Sequence, residues 1–514
     1  MDARADIILD ELRKLGVVVT GLATDSRSVA AGEVFLAWPG AKQDGRAHIA
    51  QAVARGAAAV LWEREGFEWN AGWHAPNLWV EGLRDMAGPL AHQVYGRPSE
   101  KMWTMGVTGT NGKSSCSQWL SHACTDSGAR TAVIGTLGLG LPGGALEPTV
   151  NTTPDAVLLH KSLAKLHAAG AQGVAMEVSS IGLDQGRVNG VRFGVALFTN
   201  LSRDHLDYHG DMERYAAVKE KLFHMPGLRH AVLNMDDVQG VGIARRLLDS
   251  GVNRTGYSLQ EGAASRAGLE CWVEAQNIRG GPQGLVFTVK SSWGEGAVAN
   301  AALLGRFNVS NLLGVLATML VSGVPFAEAL AALDRLEAVT GRMQCIGGGV
   351  QPLVVVDYAH SPDALEKTLA ALSDVAHSGG GGRLVCVFGC GGERDRGKRA
   401  LMGAVASRSA ERIIVTSDNP RGEDPAAIIA DVLSGMQAAG GRSIVTEPDR
   451  ARAIALAIGE AAAGDVVLLA GKGHETYQEI AGARHAFSDL VAAREALKAF
   501  HAAAASAAET PGRA

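Results

Sequence analysis

A glycine-rich loop ending in a lysine, G-V-T-G-T-N-G-K-S-S at 106–115, follows a strand-like run and precedes a helix-like segment. In that setting, backbone N–H groups and a helix N-terminus point at phosphate oxygens. Lys113 would reach the β- and γ-phosphates, and the Ser114 hydroxyl could hold Mg²⁺. The strict pattern G-x-x-x-x-G-K-S/T fails at Val107, so a plain turn with a surface lysine is the alternative. The strand–loop–helix context favours a nucleoside triphosphate site.

Two further strand ends carry acidic and imidazole side chains. Glu177 ends the strand-like run G-V-A-M-E-V, and Asp204 and His205 follow V-A-L-F-T-N-L-S-R. At adjacent strand ends facing a phosphate loop, these groups suit Mg²⁺ that bridges ATP and an acceptor. A solvated turn is the alternative for the second segment.

One lysine lies on a predicted helix. The segment M-E-R-Y-A-A-V-K-E-K-L-F at 212–223 has apolar residues near a 3.6-residue spacing, which predicts a helix. On sequence physics alone, Lys219 is an ordinary surface lysine of that helix.

The stretch S-D-N-P-R-G-E-D-P at 417–425 follows the apolar run R-I-I-V-T. The run indicates a buried strand, and the Asn-Pro and Arg-Gly pairs indicate a turn that leaves it. Arg421 is then either a surface arginine of that turn or part of a binding site. The glycine clusters at 389–394 and 471–476 lack the third glycine of G-x-G-x-x-G, and neither supports a dinucleotide oxidoreductase.

The elements that position these residues are continuous apolar runs separated by helical stretches. This pattern predicts an α/β fold with parallel sheets covered on both faces. Breaks at Y-G-R-P-S-E and G-G-G-V-Q-P divide the chain. The predicted domains are 1–98, 99–340 and 341–503, followed by a disordered tail at 504–514.

Composition limits the class of protein. The 514 residues are 47% hydrophobic and 20% charged, with a net charge of −5, which is ordinary for a globular protein and gives no footprint for nucleic acid. Six scattered cysteines without a C-x-x-C pair argue against a zinc site and a disulfide framework. The charged N-terminus does not suit a secretory signal, and no apolar run is long enough to insert in a membrane. A cytoplasmic protein is expected.

The motifs, taken together and in order, resemble those of the Mur ligase family. They extend from D-S-R at 25–27 to A-G-K-G-H-E at 470–475 and include G-T-N-G-K-S, M-E-V-S-S, T-N-L-S-R-D-H-L-D-Y-H-G, N-V-S-N-L-L, G-R-M, D-Y-A-H-S-P-D-A-L and D-N-P-R. The resemblance implies an N-terminal UDP-binding α/β domain, a central P-loop-type ATPase domain with a mostly parallel sheet, and a C-terminal Rossmann-like domain. The shorter phosphate loop is the family's own variant.

The resemblance also implies roles for individual residues. The implied ATP-binding residues are Gly109, Thr110, Asn111, Gly112, Lys113, Ser114, Ser115, Asn311, Arg342, Asp357 and His360. The implied residues for a UDP-muramoyl-dipeptide are Ser26, Lys42, Gln43, Asn151, Thr152, Thr153, Ser179, Gln185 and Arg187. The implied residues for the incoming amino acid are Arg394, Asp418, Asn419, Pro420, Arg421, Gly471 and Glu475.

The catalytic residues implied in this way are Lys113, Glu177, His205 and Lys219. Mg²⁺ would be held by Ser114, Glu177, His205 and Lys219, the last as a carbamate. This role replaces the surface interpretation of Lys219, and it rests on the resemblance alone. ATP is the implied co-substrate.

The activity implied is amide formation through an acyl phosphate. The branch of the family with D-N-P-R adds meso-diaminopimelate to the D-glutamate of a UDP-muramoyl-dipeptide, whereas lysine-adding relatives lack this arginine. A folylpolyglutamate-synthetase-like ligase and an ATP-dependent switch protein that releases no ligated product are competing interpretations. The D-N-P-R motif and the UDP-type first domain argue against the former. Small-molecule partners and a monomer are expected.

Overall fold

The computed structural model describes residues 2–40, 43–281, 283–378, 381–436 and 443–508. The first unit contains strands β1 (Gly21–Ala23), β2 (Glu33–Ala37), β3 (Ala59–Trp62) and β4 (Asn77–Trp79), and helices α1 (Asp2–Lys14), α2 (Ile49–Ala54) and α3 (Leu83–Val94). Short 3₁₀ helices lie at Gly45–His48 and Pro98–Glu100. The four strands pair in parallel in chain order. Buried apolar residues of β2 and β3 form the core of this unit.

The second unit is built on a ten-stranded sheet. Its strands are β5 (Trp103–Thr108), β6 (Thr131–Gly135), β7 (Gly138–Gly140), β8 (Gly173–Glu177), β9 (Val195–Phe198), β10 (His230–Asn234), β11 (Asn253–Ser258), β12 (Cys271–Gly281), β13 (Gly284–Ser291) and β14 (Gly294–Asn300). The order is β14-β13-β12-β11-β10-β9-β5-β8-β6-β7. The seven strands from β12 to β6 in this order pair in parallel, and antiparallel strands flank them.

Helices cover both faces of this sheet. They are α4 (Lys113–Asp126), α5 (Ala156–Ala168), α6 (Ser180–Asp184), α7 (Leu206–His209), α8 (Met212–Glu220), α9 (Val238–Arg246), α10 (Arg306–Val321) and α11 (Phe326–Asp334), with a 3₁₀ helix at Lys221–His224. One face packs against α4 and α10, and the other packs against α5, α8 and α9. Burial on both faces explains why the central strands are continuously apolar.

The third unit has a six-stranded sheet and a hairpin. Its strands are β15 (Gln344–Gly347), β16 (Leu353–Asp357), β17 (Leu384–Phe388), β18 (Arg412–Val415), β19 (Ser443–Thr446), β20 (Val466–Ala470), β21 (Tyr477–Ile480) and β22 (Ala483–Ala486). Its helices are α12 (Pro362–Ser378), α13 (Gly397–Ser409), α14 (Pro425–Leu433), α15 (Arg450–Gly459) and α16 (Asp489–Ala508). The order is β15-β16-β20-β17-β18-β19, parallel except at β15, and β21 pairs with β22.

The predicted three-domain α/β fold with mostly parallel sheets is confirmed. The strands expected before the phosphate loop, Glu177, Asp204 and Arg421 are β5, β8, β9 and β18. The prediction for the tail differs from the structure, because α16 continues to Ala508. Its alanine-rich run favours a helix, and residues 509–514 lie outside the described ones. Within the described residues, no helix is long and apolar enough to cross a bilayer.

Candidate active site

A cleft of about 1180 Å³ lies between the second and third units, at the carboxyl ends of their parallel strands. Loops that leave such strand ends are where open α/β sheets bind ligands. The predicted site residues that line the cleft are Thr110, Asn111, Gly112, Lys113, Ser114, Ser115, Asn151, Thr152, Glu177, Ser179, Arg187, His205, Lys219, Asn311, Arg342, Asp357, His360, Arg394, Asp418, Asn419, Arg421, Gly471 and Glu475. One cleft therefore collects side chains separated by more than three hundred residues.

The phosphate loop runs from β5 into α4 and depends on glycine. Gly112 has a φ of +86°, which favours glycine, and a Cβ there would lie 2.5 Å from Asn311 Oδ1. The amides of Thr110 and Asn111 donate to the backbone carbonyl and the side-chain Oδ1 of Asn200, at 2.8 and 3.0 Å. These contacts fix the loop at the N-terminus of α4, where unpaired N–H groups favour anions.

Two lysines meet at one carbonyl of this loop. Lys113 Nζ donates to Gly109 O at 3.0 Å and to Thr110 O at 2.8 Å, and Lys219 Nζ donates to Gly109 O at 2.8 Å. The surface interpretation of Lys219 is wrong, because the residue is only 1% exposed and its Nζ lies over the Tyr215 ring. Burial, and then the charge of Lys113, hold the pKa of Lys219 well below its ordinary value.

Glu177 lies at the end of β8 beside the phosphate loop. Its Oε2 accepts from Ser114 Oγ at 3.0 Å and from Thr136 Oγ1 at 3.1 Å, and its Oε1 accepts from Thr136 N at 2.8 Å. Arg342 Nη2 donates to the same Ser114 hydroxyl at 2.9 Å. The predicted pair of a carboxylate and a serine is therefore in direct contact, and Thr136 is a contact that the sequence motifs did not indicate.

Asp204 lies between two imidazoles at the junction of the two units. Its Oδ2 is 3.5 Å from His205 Nε2 and 3.7 Å from His360 Nε2. Burial alone would raise the pKa of Asp204, but His360, His205 and Lys398 hold it well below its ordinary value. His205 itself has a φ of +53°, which is uncommon outside glycine and is found at functional sites.

The third unit contributes more side chains to the part of the cleft beside the phosphate loop. Arg342 lies over the Tyr358 ring, with its guanidinium carbon 4.3 Å from the ring centre. Asp357 Oδ2 accepts from Met343 N at 2.8 Å, and burial raises the pKa of Asp357. Asn111 Nδ2, on the phosphate loop, donates to Asp363 Oδ2 at 3.0 Å, which links the two units directly.

A polar group from the loops after β7 and β8 lines the opposite part of the second unit. Thr153 Oγ1 donates to Glu177 O at 2.9 Å and lies 3.1 Å from Ser179 Oγ. Arg187 Nη1 donates to Thr153 O at 2.8 Å, and its Nη2 donates to Gln185 Oε1 at 2.6 Å. Thr153 and Gln185 thus support the cleft from behind Ser179 and Arg187.

The loop after β18 faces the phosphate loop from the third unit. Arg421 has a φ of +53°, and its Nη1 donates to Gly392 O at 2.7 Å. Asn419 Nδ2 donates to Glu475 Oε2 at 2.8 Å. A Cβ at Gly471 would lie 2.5 Å from Asp418 Oδ2, so this approach requires glycine. Arg421, Asn419 and Glu475 form one polar wall, predicted from the sequence to bind the incoming amino acid and called the amino-acid wall below.

Some predicted residues do not line the cleft. Ser26 lies in the first unit, where its hydroxyl donates to Gln51 Oε1 at 2.7 Å, and Gln43 is in the same unit. Lys42 lies outside the described residues. The other predicted residues away from the lining are Gly109, Thr153, Gln185 and Pro420. Gly109, Thr153 and Gln185 support cleft residues through the contacts given above.

Sequence reasoning missed several residues of the cleft wall. Lys398 Nζ donates to His360 O at 2.8 Å, and Tyr358 and His474 have rings 5.2 Å apart beside Arg342. Lys472 is buried behind the cleft lining, where it contacts both Asn419 and Glu475. Tyr358, Lys472 and His474 lie inside the sequence motifs, so their neighbours in sequence were the available signal. Lys398 had none, because it lies within a helix away from every motif.

The fold and the cleft define a three-unit α/β protein with a phosphate loop opposite a polar wall. Models of the Mur ligase family match it in three places: the family's catalytic domain at 18–95, its middle domain at 107–319 and its glutamate ligase domain at 341–473. The chain is 51% identical to the UDP-N-acetylmuramoyl-L-alanyl-D-glutamate–2,6-diaminopimelate ligase of Chromobacterium violaceum, over 95% of this chain and 96% of that one. It is 52% identical to the protein of that name from Ectopseudomonas mendocina, over 95% and 97%. The chain belongs to the Mur ligase family, and it is a ligase.

Solved structures agree with this assignment. A structure of a UDP-N-acetylmuramoyl-L-alanyl-D-glutamate–2,6-diaminopimelate ligase matches with a TM-score of 0.66 and 36% identity, covering 94% of this chain and 95% of that one. The folylpolyglutamate synthase of Mycobacterium tuberculosis matches with a TM-score of 0.60 and 17% identity, covering 76% and 92%. The second match shows a shared fold alone.

Proposed function

We propose that the chain is an ATP-dependent amide ligase that joins meso-diaminopimelate to UDP-N-acetylmuramoyl-L-alanyl-D-glutamate in cytoplasmic peptidoglycan precursor synthesis. The observation that carries the proposal is Arg421, which faces the phosphate loop across one cleft together with Asn419 and Glu475. Relatives about half identical to the chain, over nearly its full length, bear the name of this activity. The ligase acts as a monomer with domains at 1–98, 99–340 and 341–503.

The reaction proceeds through an activated carboxylate. The D-glutamyl γ-carboxylate attacks the γ-phosphorus of ATP, which forms an acyl phosphate and releases ADP. The amine of diaminopimelate then attacks the acyl carbon, and phosphate leaves from the tetrahedral intermediate. Phosphoryl transfer needs positioning and charge neutralisation, so Lys113 and the loop amides stabilise the phosphate oxygens. Asn311, Arg342, Asp357 and His360 hold the nucleotide from the other side.

The dipeptide substrate approaches from the second unit. Asn151, Thr152, Ser179 and Arg187 hold the muramoyl-dipeptide, and Thr153 and Gln185 keep Ser179 and Arg187 in place. The uridine lies in the first unit, at Ser26, Lys42 and Gln43. This arrangement brings the D-glutamyl carboxylate between the phosphate loop and the amino-acid wall, where both steps occur.

Ser114, Glu177, His205 and Lys219 would hold Mg²⁺. The fit depends on Lys219, because among the described residues no three His, Cys, Asp or Glu side chains group as a metal site. Lys219 and Lys113 meet at one carbonyl, and the lowered pKa of Lys219 favours the neutral amine that reacts with CO₂ to give a carbamate and a proton. A carbamate supplies the oxygens that Mg²⁺ prefers. When bound, Mg²⁺ neutralises phosphate charge.

Arg421 sets the choice of amino acid. The second carboxylate of meso-diaminopimelate requires a planar, permanently charged partner that can bind both oxygens. With L-lysine, which has no such carboxylate, the partly buried guanidinium would lose its ligand. The guanidinium would keep Gly392 O and the 3.7 Å contact of its Nε with Glu479 Oε2. The expected cost is therefore at the lower end of that for a buried charge left unpaired, about 3 kcal/mol, or about two powers of ten in selectivity.

The direct test incubates the protein with ATP, Mg²⁺, the UDP-muramoyl-dipeptide and either meso-diaminopimelate or L-lysine. Released phosphate and the nucleotide-tripeptide are both measured. We expect product with diaminopimelate and at least about a hundredfold lower kcat/KM with L-lysine. Absence of product with diaminopimelate contradicts the proposal, and equal use of both amino acids contradicts the role of Arg421.

A further inference from the structure

Lys472 is a fully buried lysine in the amino-acid wall. It follows β20, its side chain is 0% exposed, and its Nζ donates to Glu475 Oε2 at 2.7 Å and to Asn419 Oδ1 at 3.1 Å. A buried ammonium is costly unless it is paired and hydrogen-bonded. The Lys472 ammonium group is therefore stabilised by hydrogen bonds to two residues that were predicted to bind substrate, Asn419 and Glu475.

The two contacts of Lys472 fix the orientation of the Asn419 amide. Asn419 Oδ1 accepts from Lys472 Nζ and also from Glu479 N at 2.9 Å. Because both neighbours are donors, the oxygen of the amide must lie on their side. The NH₂ group then lies on the side of Glu475, to which Asn419 Nδ2 donates at 2.8 Å.

The same arrangement makes the two oxygens of Glu475 unequal. Oε2 accepts from both Lys472 Nζ and Asn419 Nδ2. In the described part of the chain, Oε1 has no hydrogen-bond partner, and Glu475 lines the cleft. Oε1 is therefore the oxygen left for a donor on the substrate, and its position depends on the two donors that hold Oε2.

The cluster of Lys472, Asn419 and Glu475 also connects the hairpin β21–β22 to the loop that carries Arg421. Glu479 N donates to Asn419 Oδ1, Gln478 Nε2 donates to Asp418 O at 2.8 Å, and Arg421 N donates to Glu479 O at 3.0 Å. Lys472 thus lies at the centre of a network that sets both the acidic and the basic part of the wall.

We infer that Lys472 is a positioning residue for the amino-acid substrate, which holds Glu475 so that Oε1 accepts a hydrogen bond from an ammonium group of that substrate. Lys472 itself does not contact the substrate. The inference rests on the proposed function, because it takes the wall to bind a diamino acid. An ammonium–carboxylate contact suits Glu475, as a guanidinium–carboxylate contact suits Arg421.

The test is Lys472→Met, which keeps an unbranched side chain that is one heavy atom shorter and removes the charge. We expect the KM for diaminopimelate to rise about ten- to a hundredfold, because a hydrogen bond to a charged group is lost at each partner. The KM for ATP should stay unchanged. Glu475→Gln should also raise the KM for diaminopimelate. The double variant should have a KM little higher than that of Glu475→Gln alone, since both changes act on one carboxylate.

The matched control is Arg383→Met. Arg383 pairs with Asp465 at 2.8 Å, immediately before β20, so the change removes a paired cation at the opposite end of the same strand. It should lower the thermal unfolding temperature but leave the KM for diaminopimelate unchanged. If Lys472→Met does not fold, Lys472→Gln keeps a neutral donor and should give a smaller rise in the same KM.

A folded Lys472 variant with an unchanged KM for diaminopimelate would overturn the inference. An equal rise in the KM values for ATP and diaminopimelate would overturn it too, because that result indicates a general structural role. Both results are comparisons with wild-type KM values, so they can be obtained only if the wild-type protein is active. Wild-type protein that forms no product with diaminopimelate would instead overturn the proposed function.

Discussion

The two walls of the cleft are built differently. On the second unit, the predicted side chains contact one another: Ser114 donates to Glu177, and Lys113 and Lys219 donate to the carbonyl of Gly109. On the third unit, Arg394 is exposed and lines the cleft, and its described contacts include no carboxylate. On this wall, proposed to bind the amino acid, Arg421 is partly engaged, because its Nε lies 3.7 Å from Glu479 Oε2. The wall proposed to bind the nucleotide therefore holds its lysines on backbone carbonyls, whereas the opposite wall presents Arg394 for an incoming carboxylate.

The difference fits the chemistry that we propose for each wall. A phosphate loop concentrates positive charge, and Lys113 and Lys219 donate to its backbone carbonyls. A specificity pocket must instead leave some polar atoms available, as at Arg394 and Glu475 Oε1, since their loss of a partner rejects the wrong substrate. Substitutions on the nucleotide wall should therefore affect turnover with any amino acid, and those on the amino-acid wall should affect the choice among amino acids.

The largest effect is expected for Lys219→Ala on the nucleotide wall. We expect kcat to fall about a thousandfold, because the variant cannot form the carbamate that contributes to charge stabilisation. Added short-chain carboxylates should restore part of the activity by supplying the missing oxygens. Phosphate release with and without such carboxylates is the measurement.

Lys221→Ala is the control for that variant. Lys221 lies two residues further along, with a side chain 55% exposed and only a 3.5 Å contact to Asp184. It should keep wild-type turnover. Full activity of Lys219→Ala would show that this buried lysine has no part in the chemistry.

Arg421→Lys tests the amino-acid wall. Lysine keeps the charge but cannot bind both carboxylate oxygens in the planar geometry, so the KM for diaminopimelate should rise about ten- to a hundredfold. The KM for ATP should not change. Arg412→Lys, at the start of the same strand β18, is the control and should leave both values unchanged. Equal loss of affinity for ATP and diaminopimelate would remove the distinction between the walls.

Much of this comparison could be predicted from the sequence. The continuous apolar runs predicted β5, β8, β9 and β18 because parallel strands buried on both faces have no polar alternation. Polar residues directly after such strands then had to lie at one edge of a sheet, which places Glu177 near the phosphate loop. Strand order was not predicted, since it depends on packing between segments far apart in sequence.

The burial of individual charged side chains could not be predicted from the sequence pattern. Helical spacing puts Lys219 on α8 but gives no information about what covers that helix, so the sequence pattern alone suggested a surface residue. Lys472 was missed for a similar reason, because one of the two partners that make its burial possible, Asn419, follows a different strand. The contact with Glu475 is local and lies within one motif, whereas the contact with Asn419 is a property of the tertiary fold that no local pattern indicates.

A smaller effect is expected for Gly112→Ala in the phosphate loop. The added Cβ would meet Asn311 Oδ1 at 2.5 Å in a left-handed backbone, so we expect about a tenfold higher KM for ATP and about 1–2 kcal/mol lower stability. Gly128→Ala is a close control, because Gly128 follows the other end of α4 with a φ of +90° and nothing within 4 Å of its Cβ. The control should lose stability alone. A change in the KM for diaminopimelate with Gly112→Ala would contradict the separation of the walls.

The smallest effect is expected where the two walls meet. Arg203 Nη2 lies 3.3 Å from Asp395 Oδ2 across the cleft, but the Arg203 side chain is 46% exposed. Exposed ion pairs contribute about 0–1 kcal/mol, so Arg203→Met should change kcat/KM by no more than about fivefold. Because salt screens such pairs, the difference from wild type should shrink as ionic strength rises. A loss of a hundredfold that persists at high salt would mean that this pair holds the walls in their reactive arrangement, and that the two walls do not act independently.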